Sequence, residues 1–434
     1  MLLKRAAIAL IVLFLLAVGG AFLFLRSALI ASLPLLDGQA PVPGLLRPVT
    51  IERDDHGVPA IRAESEIDAM RALGFLHGQE RFFQMDMARR VSAGELSAVL
   101  GPATVPFDRS QRDHLFRRRA RQALPLLPAD HQALFEAYAE GVNAGVADLG
   151  AAPPEYLMLR QVPEPWLPED SLLVLYTMFG MLHYSTGDER MAGVMHDALP
   201  RELLEFLLPD ASRHDAPLIE PIGRDPAEIY SPAPIPGPDI VDLRSGGWSP
   251  AAPPPAEARG MLDPFNRPAL GSNAWVVDAS RTVDGRAILA NDMHLGIQVP
   301  NIWYRAALHW GDRRVVGVTL PGVPGVVAGS TGVIAWGFTN TTGDFEDYVI
   351  VERDAEDPDL YRTPDGAERV EIRKETIEVR GAAPETYEVA MTRWGPIVAT
   401  DHRDRELALR WTAHDVQHVN LGILDMPEAN SIEE

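Results

Sequence analysis

The segment GSNAW at residues 271–275 lies where the character of the sequence changes. Before it, residues 231–270 are rich in proline and glycine and lack hydrophobic periodicity, so they are predicted to be a long linker. After it, apolar and polar residues alternate with the two-residue period of β-strands. The sequence therefore predicts that a sheet region begins directly after a segment that the core does not need.

Ser272 is the residue of this junction that can carry chemistry. A serine where a linker meets a strand is most often a turn or capping residue, and for Ser272 alone that interpretation stays open. Gly271 has no side chain, so the serine hydroxyl can reach the preceding carbonyl group. Polar motifs follow at residues 291–294 (NDMH) and 336–347 (WGFTNTTGDFED). Together with the removable linker, these features favour a nucleophile.

Helices are predicted upstream of this junction and strands downstream. A hairpin with its turn at residues 56–57 is expected over 49–63, and apolar periodicity predicts helices from residue 65, over 128–149 and over 168–208. Downstream strands are predicted over 274–277, 287–290, 302–309, 315–320, 333–338, 348–351 and 407–411, with hairpins over 370–380 and 386–400. This segregation of helices and strands is typical of the α+β class.

An uninterrupted apolar run covers residues 6–25 and follows Lys4 and Arg5. Its 20 residues match the length that a helix needs to cross a bilayer. A signal-peptidase site at residues 19–21 (GGA) would fall inside the run, so an anchor with its positive end in the cytoplasm is favoured over a cleaved signal peptide. Residues 1–30 are therefore predicted to be a signal peptide or membrane anchor, with the remainder in the periplasm or otherwise outside the cytoplasm.

The composition and one misleading motif exclude several classes of function. The formal net charge of −22 repels phosphate backbones, which argues against a nucleic-acid partner. The chain has no cysteine, so disulfides, thiolate metal sites and cysteine nucleophiles are excluded.

The segment AGSTG at residues 328–332 resembles the nucleophile elbow of α/β-hydrolases, but a predicted strand follows it where that motif needs a helix. A turn is the better interpretation.

Five motifs in the same order carry a resemblance to a known family. They are RDDHGVPAI (53–61), GQERFFQMDMARR (78–90), GSNAW (271–275), NDMHLG (291–296) and WGFTNTTGDFEDY (336–348). On these residues the chain resembles the penicillin acylases (penicillin amidases), which are N-terminal-nucleophile hydrolases, from about residue 49 onward. The resemblance implies an αββα four-layer sandwich with a helix-rich α chain wrapped around it.

The resemblance also implies a precursor that cuts itself between Gly271 and Ser272. It divides the chain into a helix-rich α-chain region (31–230), a spacer (231–271) and the N-terminal part of a β chain (272–434). Ser272 would be the nucleophile, and its freed α-amino group would act as the base through a water molecule. An α-amine has a pKa of about 7.7–8.0, which suits a base at neutral pH.

Two further catalytic roles follow from the resemblance. The backbone N–H of Asn340 matches the first oxyanion donor, and His294 lies beside the nucleophile's amino group, as in the acylases of acyl-homoserine lactones and lipopeptides. A hydrogen-bonded structural histidine remains the alternative for His294. The family's second oxyanion asparagine and its supporting arginine are not found before Glu434, and residues 431–434 (SIEE) match a helix-starting capping box. The chain is therefore expected to stop short and, as given, to lack a complete active site.

An acidic loop at Asp344, Glu346 and Asp347 has two interpretations. Charged clusters of this kind are usually solvated surface turns. The resemblance instead implies one structural Ca²⁺ ion, held by this loop and by an α-chain carboxylate for which Glu189 is the match. Glu346 would contribute through its backbone carbonyl, and the ion would clamp the two chains together.

The resemblance places the acyl pocket at Leu295, Ile302, Val327 and Ala328. The small side chain of Ala328 would deepen the pocket and favour a longer aliphatic chain. The implied reaction is hydrolysis of a linear amide with release of an apolar acid, and acyl-homoserine lactones, lipopeptides and β-lactam side chains all remain open as substrates. The expected partners are this small-molecule amide, the two chains of one precursor, and the membrane through the N-terminal helix. The alternative is an anchored binding homologue that kept the fold without catalysis.

Overall fold

The computed structural model describes residues 2–182, 186–209, 233–242, 271–341 and 343–434. Apart from 233–242 and Gly271, the predicted spacer at 231–271 lies outside the described residues. The end of the predicted α-chain region, from residue 210, also lies outside them. The boundaries of these regions therefore stay predictions.

The described elements follow the predicted order, with helices first and strands after Gly271. The helices are α1 (Leu2–Ala31), α2 (Glu66–Ala93), α3 (Ser97–Leu100), α4 (Val105–Arg112), α5 (Phe116–Ala123), α6 (Ala129–Asp148), α7 (Pro154–Leu159), α8 (Pro168–Leu182), α9 (Thr186–Ala198) and α10 (Arg201–Leu207). The strands are β1 (Thr50–Arg53), β2 (Pro59–Ala63), β3 (Gly271–Val277), β4 (Ile288–His294), β5 (Tyr304–Trp310), β6 (Arg313–Thr319), β7 (Ala328–Ser330), β8 (Ala335–Trp336), β9 (Glu346–Val351), β10 (Leu360–Thr363), β11 (Gly366–Arg369), β12 (Glu371–Ile377), β13 (Glu385–Met391), β14 (Ile397–Thr400) and β15 (Glu406–Trp411). The α+β class is confirmed.

Helices α2 and α6 pack together through glycines. Helix α2 begins at Ser65, whose hydroxyl accepts a hydrogen bond from the N–H of Asp68 at 3.2 Å. The contact is lined by Gly74 and Gly78 on α2 and by Gly141 and Gly145 on α6. A Cβ atom at any of these four positions would lie 1.9–2.3 Å from a carbonyl oxygen of the other helix. Because only glycine permits this approach, the two backbones are in direct contact.

The helix pair packs against a six-stranded sheet with the order β1-β2-β5-β6-β7-β8. The predicted hairpin forms β1 and β2, with Gly57 at a φ of 76° in the turn. Strand β2 then pairs in parallel with β5, in register Ala60 opposite Ala307. Residues before and after the proposed cleavage position therefore share one sheet. Alternate side chains of β5 are buried in the core.

His77 joins α2 to this sheet in the fully buried core. Its Nδ1 lies 2.6 Å from the hydroxyl of Tyr138, and its Nε2 lies 3.0 Å from Thr319 Oγ1. The Thr319 hydroxyl already donates to the carbonyl of Tyr304, so it accepts from Nε2–H, and Nδ1 accepts from Tyr138. Burial lowers the pKa of His77 to about 3, which keeps this arrangement neutral.

The structure contains elements that the sequence did not predict. These are the short helices α3, α4, α5 and α7, strand β7 and the β10–β11 hairpin. Each is short, and too few periodic positions fall within it to give a pattern. Strand β8 is also shorter than the predicted strand at 333–338. In the AGSTG segment, residues 328–330 form strand β7 and only residues 331–332 belong to the turn into β8, so the interpretation of the whole segment as a turn was wrong for its first three residues. In the SIEE segment the N–H of Glu434 donates to Ser431 Oγ at 3.3 Å, the first half of a capping box.

The predicted N-terminal apolar segment forms α1. Its stretch Leu10–Ala31 is long and apolar enough to cross a membrane, and none of this stretch is buried in the protein. A signal sequence shows the same length and composition, so the two interpretations of residues 1–30 both remain. Helix α1 contacts the folded body at its last residue, where the carbonyl of Ala31 accepts from the N–H of Ala151 at 3.1 Å.

Candidate active site

Ser272 lies near the start of β3, in a two-stranded sheet with β4. The antiparallel register places Gly271 opposite His294 and Ser272 opposite Met293. Large apolar residues of this hairpin are half exposed, among them Trp275 at 52% and Val276 at 66%. The serine is therefore held by strand pairing in an open part of the described structure.

The predicted oxyanion donor lies against this serine. The backbone N–H of Asn340 points at Ser272 Oγ across an N···O distance of 3.4 Å. That is long for a hydrogen bond, as is common for catalytic groups in the absence of substrate. The side-chain amide of Asn340 donates to the carbonyl of Leu182 at the end of α8, at 3.1 Å. The structure thus brings together Ser272 and Asn340, which are far apart in the sequence.

His294 faces the proposed scissile bond from the opposite strand. A Cβ atom built on Gly271 would lie 3.3 Å from His294 Nδ1. The other ring nitrogen, Nε2, lies 2.9 Å from Asp292 Oδ2, and both side chains are partly exposed. Because an ionised carboxylate only accepts, Asp292 favours the tautomer with hydrogen on Nε2 and a free acceptor at Nδ1. Asp292 had no assigned role in the sequence analysis. Its spacing of two residues from His294 on a strand, which puts both on one face, was the available signal.

Asn291 is a second polar residue of this motif to which sequence reasoning gave no role. Its Nδ2 donates to the carbonyls of Asn273 at 3.2 Å and Phe338 at 2.9 Å. Its Oδ1 accepts from the N–H of Phe338 at 3.0 Å. The side chain therefore connects the serine strand to the segment that carries Asn340.

Three of the four predicted metal ligands converge. Carboxylate oxygens of Glu189, Asp344 and Asp347 all lie within 4.8 Å of one another. Glu189 belongs to α9, and the two aspartates lie at the start of β9 and in the turn before it. Glu346, the fourth, is 3% exposed and lies outside this carboxylate group. Hard oxygen ligands from two separate segments fit a Ca²⁺ ion.

An apolar groove of about 970 Å³ is lined in part by Phe338 and by Leu182, whose carbonyl accepts from the Asn340 side chain, but not by Asn340 itself. Its walls come from α8, including Phe179 and Leu182, from Val327 and Phe338, and from residues 418–423. Of the four predicted acyl-pocket residues, Val327 lines this groove. Leu295, Ile302 and Ala328 are not among its lining residues in the described part of the chain. The α8 and 418–423 walls carry no local sequence signal, because they are defined by how distant segments pack.

One polar side chain reaches this apolar groove from α8. Tyr176 is 8% exposed, and burial raises the pKa of its hydroxyl to about 12. The groove wall is therefore neutral at this position at physiological pH.

Comparisons of the sequence with known proteins point to one family. The sequence model of the family described as Penicillin amidase matches residues 48–434. Among curated relatives, the penicillin acylase 2 proenzyme of a Pseudomonas species (strain SE83) is 33% identical over 377 residues, covering 87% of this chain and 47% of that protein. The acyl-homoserine lactone acylase QuiP of Pseudomonas aeruginosa is 29% identical over 423 residues, covering 93% and 48%. Penicillin G acylase of Escherichia coli is 27% identical over 406 residues, covering 86% and 48%.

The solved structures give a weaker likeness. A thermostable penicillin G acylase from Alcaligenes faecalis in tetragonal form is 27% identical, with a TM-score of 0.35, over 40% of this chain and 97% of that chain. The present chain spans about half the length of the curated relatives that it matches. Since the family model matches nearly the whole chain after the N-terminal helix, the chain belongs to the penicillin amidase family.

Proposed function

We propose that this chain is the precursor of an amide hydrolase that cuts itself before Ser272 and then uses that serine as its nucleophile. The observation that carries the proposal is the approach of the Asn340 N–H to Ser272 Oγ at 3.4 Å. Two groups so distant in the sequence meet in the arrangement that acyl transfer requires, a nucleophile beside a backbone donor. The named activities of the relatives support the same class of reaction.

In the maturation step, Ser272 Oγ attacks the carbonyl carbon of Gly271. The acyl group moves from nitrogen to oxygen while the Oγ proton passes to the nitrogen, which frees the α-amine of Ser272. Water then hydrolyses the resulting ester, which releases the carboxyl end at Gly271 and restores the serine hydroxyl. Nδ1 of His294 lies close to this junction, 3.3 Å from where a Cβ atom on Gly271 would stand. It can accept a hydrogen bond from the new amino group and hold it near Oγ.

In the hydrolytic step, the α-amine takes the Ser272 Oγ proton through a water molecule as Oγ attacks the substrate amide. The Asn340 N–H donates to the developing oxyanion, and the leaving amine takes up the proton. Water then attacks the acyl-enzyme ester, which releases the acid and restores the serine. The alternative of a non-catalytic binding homologue is not favoured, because binding alone does not require an N–H directed at Ser272 Oγ.

The apolar groove supports an apolar acyl group as the part of the substrate that is recognised. Its walls at Phe179, Val327 and Phe338 offer apolar contact area. Asp415 and His418 are the acidic and basic side chains among its described lining residues. Acyl-homoserine lactones, lipopeptides and β-lactam amides differ both in the acyl group and in the amine that leaves. Because the groove offers apolar contacts, we expect the rate to depend more on acyl length than on the amine.

We also propose a structural Ca²⁺ ion and a location outside the cytoplasm. Glu189, Asp344 and Asp347 would hold the ion, whose two positive charges would offset most of the charge of the three carboxylates and which would join α9 to the segment after Asn340. Location outside the cytoplasm is supported by the apolar helix α1, whether it serves as a signal peptide or as an anchor. Membrane attachment would follow only in the second case.

The test is a Ser272→Ala substitution in the protein expressed from its natural reading frame. We expect no cleavage at residue 271 and a loss of amide hydrolysis on the order of 10⁴-fold or more. The matched control is Ser280→Ala in the connection between β3 and β4, where cleavage and turnover should persist. Mass spectrometry of the fragment that begins Ser-Asn-Ala-Trp measures the first effect, and an acyl-chain series of homoserine lactones and chromogenic amides measures the second. Cleavage in Ser272→Ala would refute the proposed nucleophile.

A further inference from the structure

One side-chain amide connects the two halves of the proposed catalytic pair. The Nδ2 of Asn291 donates to both Asn273 and Phe338, and its Oδ1 accepts from the Phe338 N–H. Both backbone polar groups of Phe338 are thereby engaged by one side chain, as they would be by a neighbouring β-strand. The backbone after β8 is therefore fixed by hydrogen bonds as in a sheet, although it is not paired with a strand there.

The position of this bridge determines what it constrains. Asn273 directly follows the nucleophile in β3, and Phe338 lies two residues before the donor Asn340. The side-chain amide of Asn340 is tied on the other side to the Leu182 carbonyl at 3.1 Å. The donor segment is therefore held between the end of α8 and Asn291. Of the two residues that hold the donor segment, Leu182 and Asn291, it is Asn291 that also donates a hydrogen bond to β3, which carries the nucleophile.

We infer that Asn291 is a positioning residue that sets the distance between Ser272 Oγ and the Asn340 N–H. This inference rests on the proposed function. Asn291 does not contact the reacting atoms. Its effect reaches the oxyanion through the Phe338 backbone, so it should change stabilisation of the transition state more than binding of the ground state.

The chemistry of the site requires asparagine. Aspartate would lose both donated hydrogen bonds and place a negative charge beside two carbonyl oxygens. Glutamine is too long, because the site has no spare room on the side of Gly337. A Cβ atom at Gly337 would lie 2.7–2.9 Å from atoms of the Asn291 side chain. Gly337→Ala should consequently displace the amide and produce the same defect as a change at Asn291.

The experiment compares four proteins expressed from the natural reading frame: the parent, Asn291→Asp, Gly337→Ala and the control Thr282→Val. Thr282 lies in the β3–β4 connection, and its hydroxyl oxygen lies 3.0 Å from the carbonyl oxygen of Ala279 and 2.8 Å from that of Arg286, between which its single proton is shared. The control therefore removes a hydroxyl hydrogen bond from the same hairpin without touching the donor segment. Rates are divided by the amount of fragment with Ser272 at its terminus. Affinity for an alkyl boronic acid, which forms a tetrahedral adduct on a serine, is measured in parallel.

We expect kcat of Asn291→Asp to fall by about 10²–10³-fold, as for loss of an oxyanion donor. KM should stay within about two-fold, and boronate affinity should fall with kcat, since both report the tetrahedral state. Gly337→Ala should likewise lower kcat and boronate affinity while KM stays nearly unchanged, whereas Thr282→Val should match the parent in all three. If Asn291→Asp stays uncut, Gly337→Ala decides the outcome on the same criteria.

Two results would overturn the inference. One is a processed Asn291→Asp protein with the kcat and boronate affinity of the parent. The other is a rate loss that raises KM and lowers the thermal midpoint without any selective loss of boronate affinity, because that pattern indicates a structural role only. A parent that hydrolyses no amide would overturn the proposed function, and this inference with it. An active parent beside an equally active Asn291→Asp would overturn the inference alone.

Discussion

The α2–α6 helix pair and the β3–β4 hairpin both bring two backbones together, but their surroundings differ. The glycine contact between α2 and α6 lies among fully buried side chains such as Leu73 and Tyr138. The hairpin that carries Ser272 exposes Trp275 and Val276 by half or more. The helix pair is held by packing, which is cooperative and intolerant of added volume. The hairpin is held by strand pairing and a few polar bridges, so its geometry depends on individual side chains.

This difference predicts where substitutions act. Changes in the helix pair and at His77 should alter the free energy of unfolding. Changes in the hairpin should alter rates and leave that free energy nearly unchanged. The predictions below test this division, from the largest expected effect on stability to the smallest.

Gly141→Ala should be the most destabilising of these changes. Its Cβ would lie 1.9 Å from the carbonyl oxygen of Arg71, so the two helices must separate. We expect a loss of about 3 kcal/mol or more in the free energy of unfolding, measured by urea denaturation. The control is Gly180→Ala in α8, which has nothing within 4 Å and should be neutral or stabilising by up to about 1 kcal/mol. Equal midpoints for the two variants would show that the helix contact is not tight.

His77→Leu should be the second most destabilising change. It leaves the Tyr138 hydroxyl and Thr319 Oγ1 without their buried partner, for a loss of about 2–3 kcal/mol. His294→Leu is the comparison in the hairpin, where the side chain is 41% exposed and the change should be within about 0.5 kcal/mol. A larger loss of stability from His294→Leu than from His77→Leu would contradict the expectation that stability depends on the helix core more than on the hairpin.

His77 should also make the free energy of unfolding depend on pH, with a defined sign. Burial lowers the pKa of His77 from 6.5 to about 3, so between these values the unfolded chain is protonated there and the folded protein is not. The unfolded state then binds more protons, and stability falls as the pH decreases from about 6.5 towards 3. The parent should lose more stability over this window than His77→Leu, in urea titrations at each pH. An equal loss of stability in the parent and in His77→Leu over this pH range would contradict a neutral, buried His77.

Calcium should stabilise the processed protein by a moderate amount. Glu189, Asp344 and Asp347 otherwise gather negative charge, and an ion bound only in the folded state would contribute about 2.7 kcal/mol at 100 times its Kd. Melting temperature should rise with Ca²⁺ and fall with a chelator. Asp344→Asn should abolish this response, whereas Asp312→Asn in the β5–β6 turn should keep it. A full response in Asp344→Asn would place the ion elsewhere.

Arg109→Ala should have the smallest effect. Its Nε lies 2.6 Å from Glu385 Oε1, joining α4 to β13, but water and salt screen this exposed pair. We expect an unchanged urea midpoint at low and high salt. A clear loss at low salt would show that surface ion pairs contribute to the association of the two segments.

Part of the candidate site was accessible to sequence reasoning. Ser272 carries a local signal in the linker junction, and Asp344, Glu346 and Asp347 carry one as an acidic loop. The role of Asn340 came from the resemblance alone. The convergence of Glu189 with Asp344 and Asp347 came from the resemblance, since no local pattern links α9 to β9. Asn291 and Asp292 lay inside a quoted motif, but their partners follow from the β3–β4 register and from the path of the chain after β8. The apolar groove at α8 could likewise not be predicted, because its walls come from three separated segments.

The sequence by itself determined the long helices, most strands, the hairpin at Gly57 and the apolar segment of α1, because periodicity and turn residues act over a few neighbouring positions. The separate hairpins predicted over 370–380 and 386–400 were wrong, because β12 pairs with β13 across the two ranges and β14 pairs with β15. Short elements such as α3–α5 and β10–β11 were missed, since their few residues complete no period. Only the tertiary structure decided that α2 and α6 meet at glycine, that β2 joins β5 across the proposed cut, and that the Asn340 N–H faces Ser272. These arrangements depend on contacts between residues far apart in the chain. Their free energy comes from packing and long-range hydrogen bonds, which no local window of sequence contains.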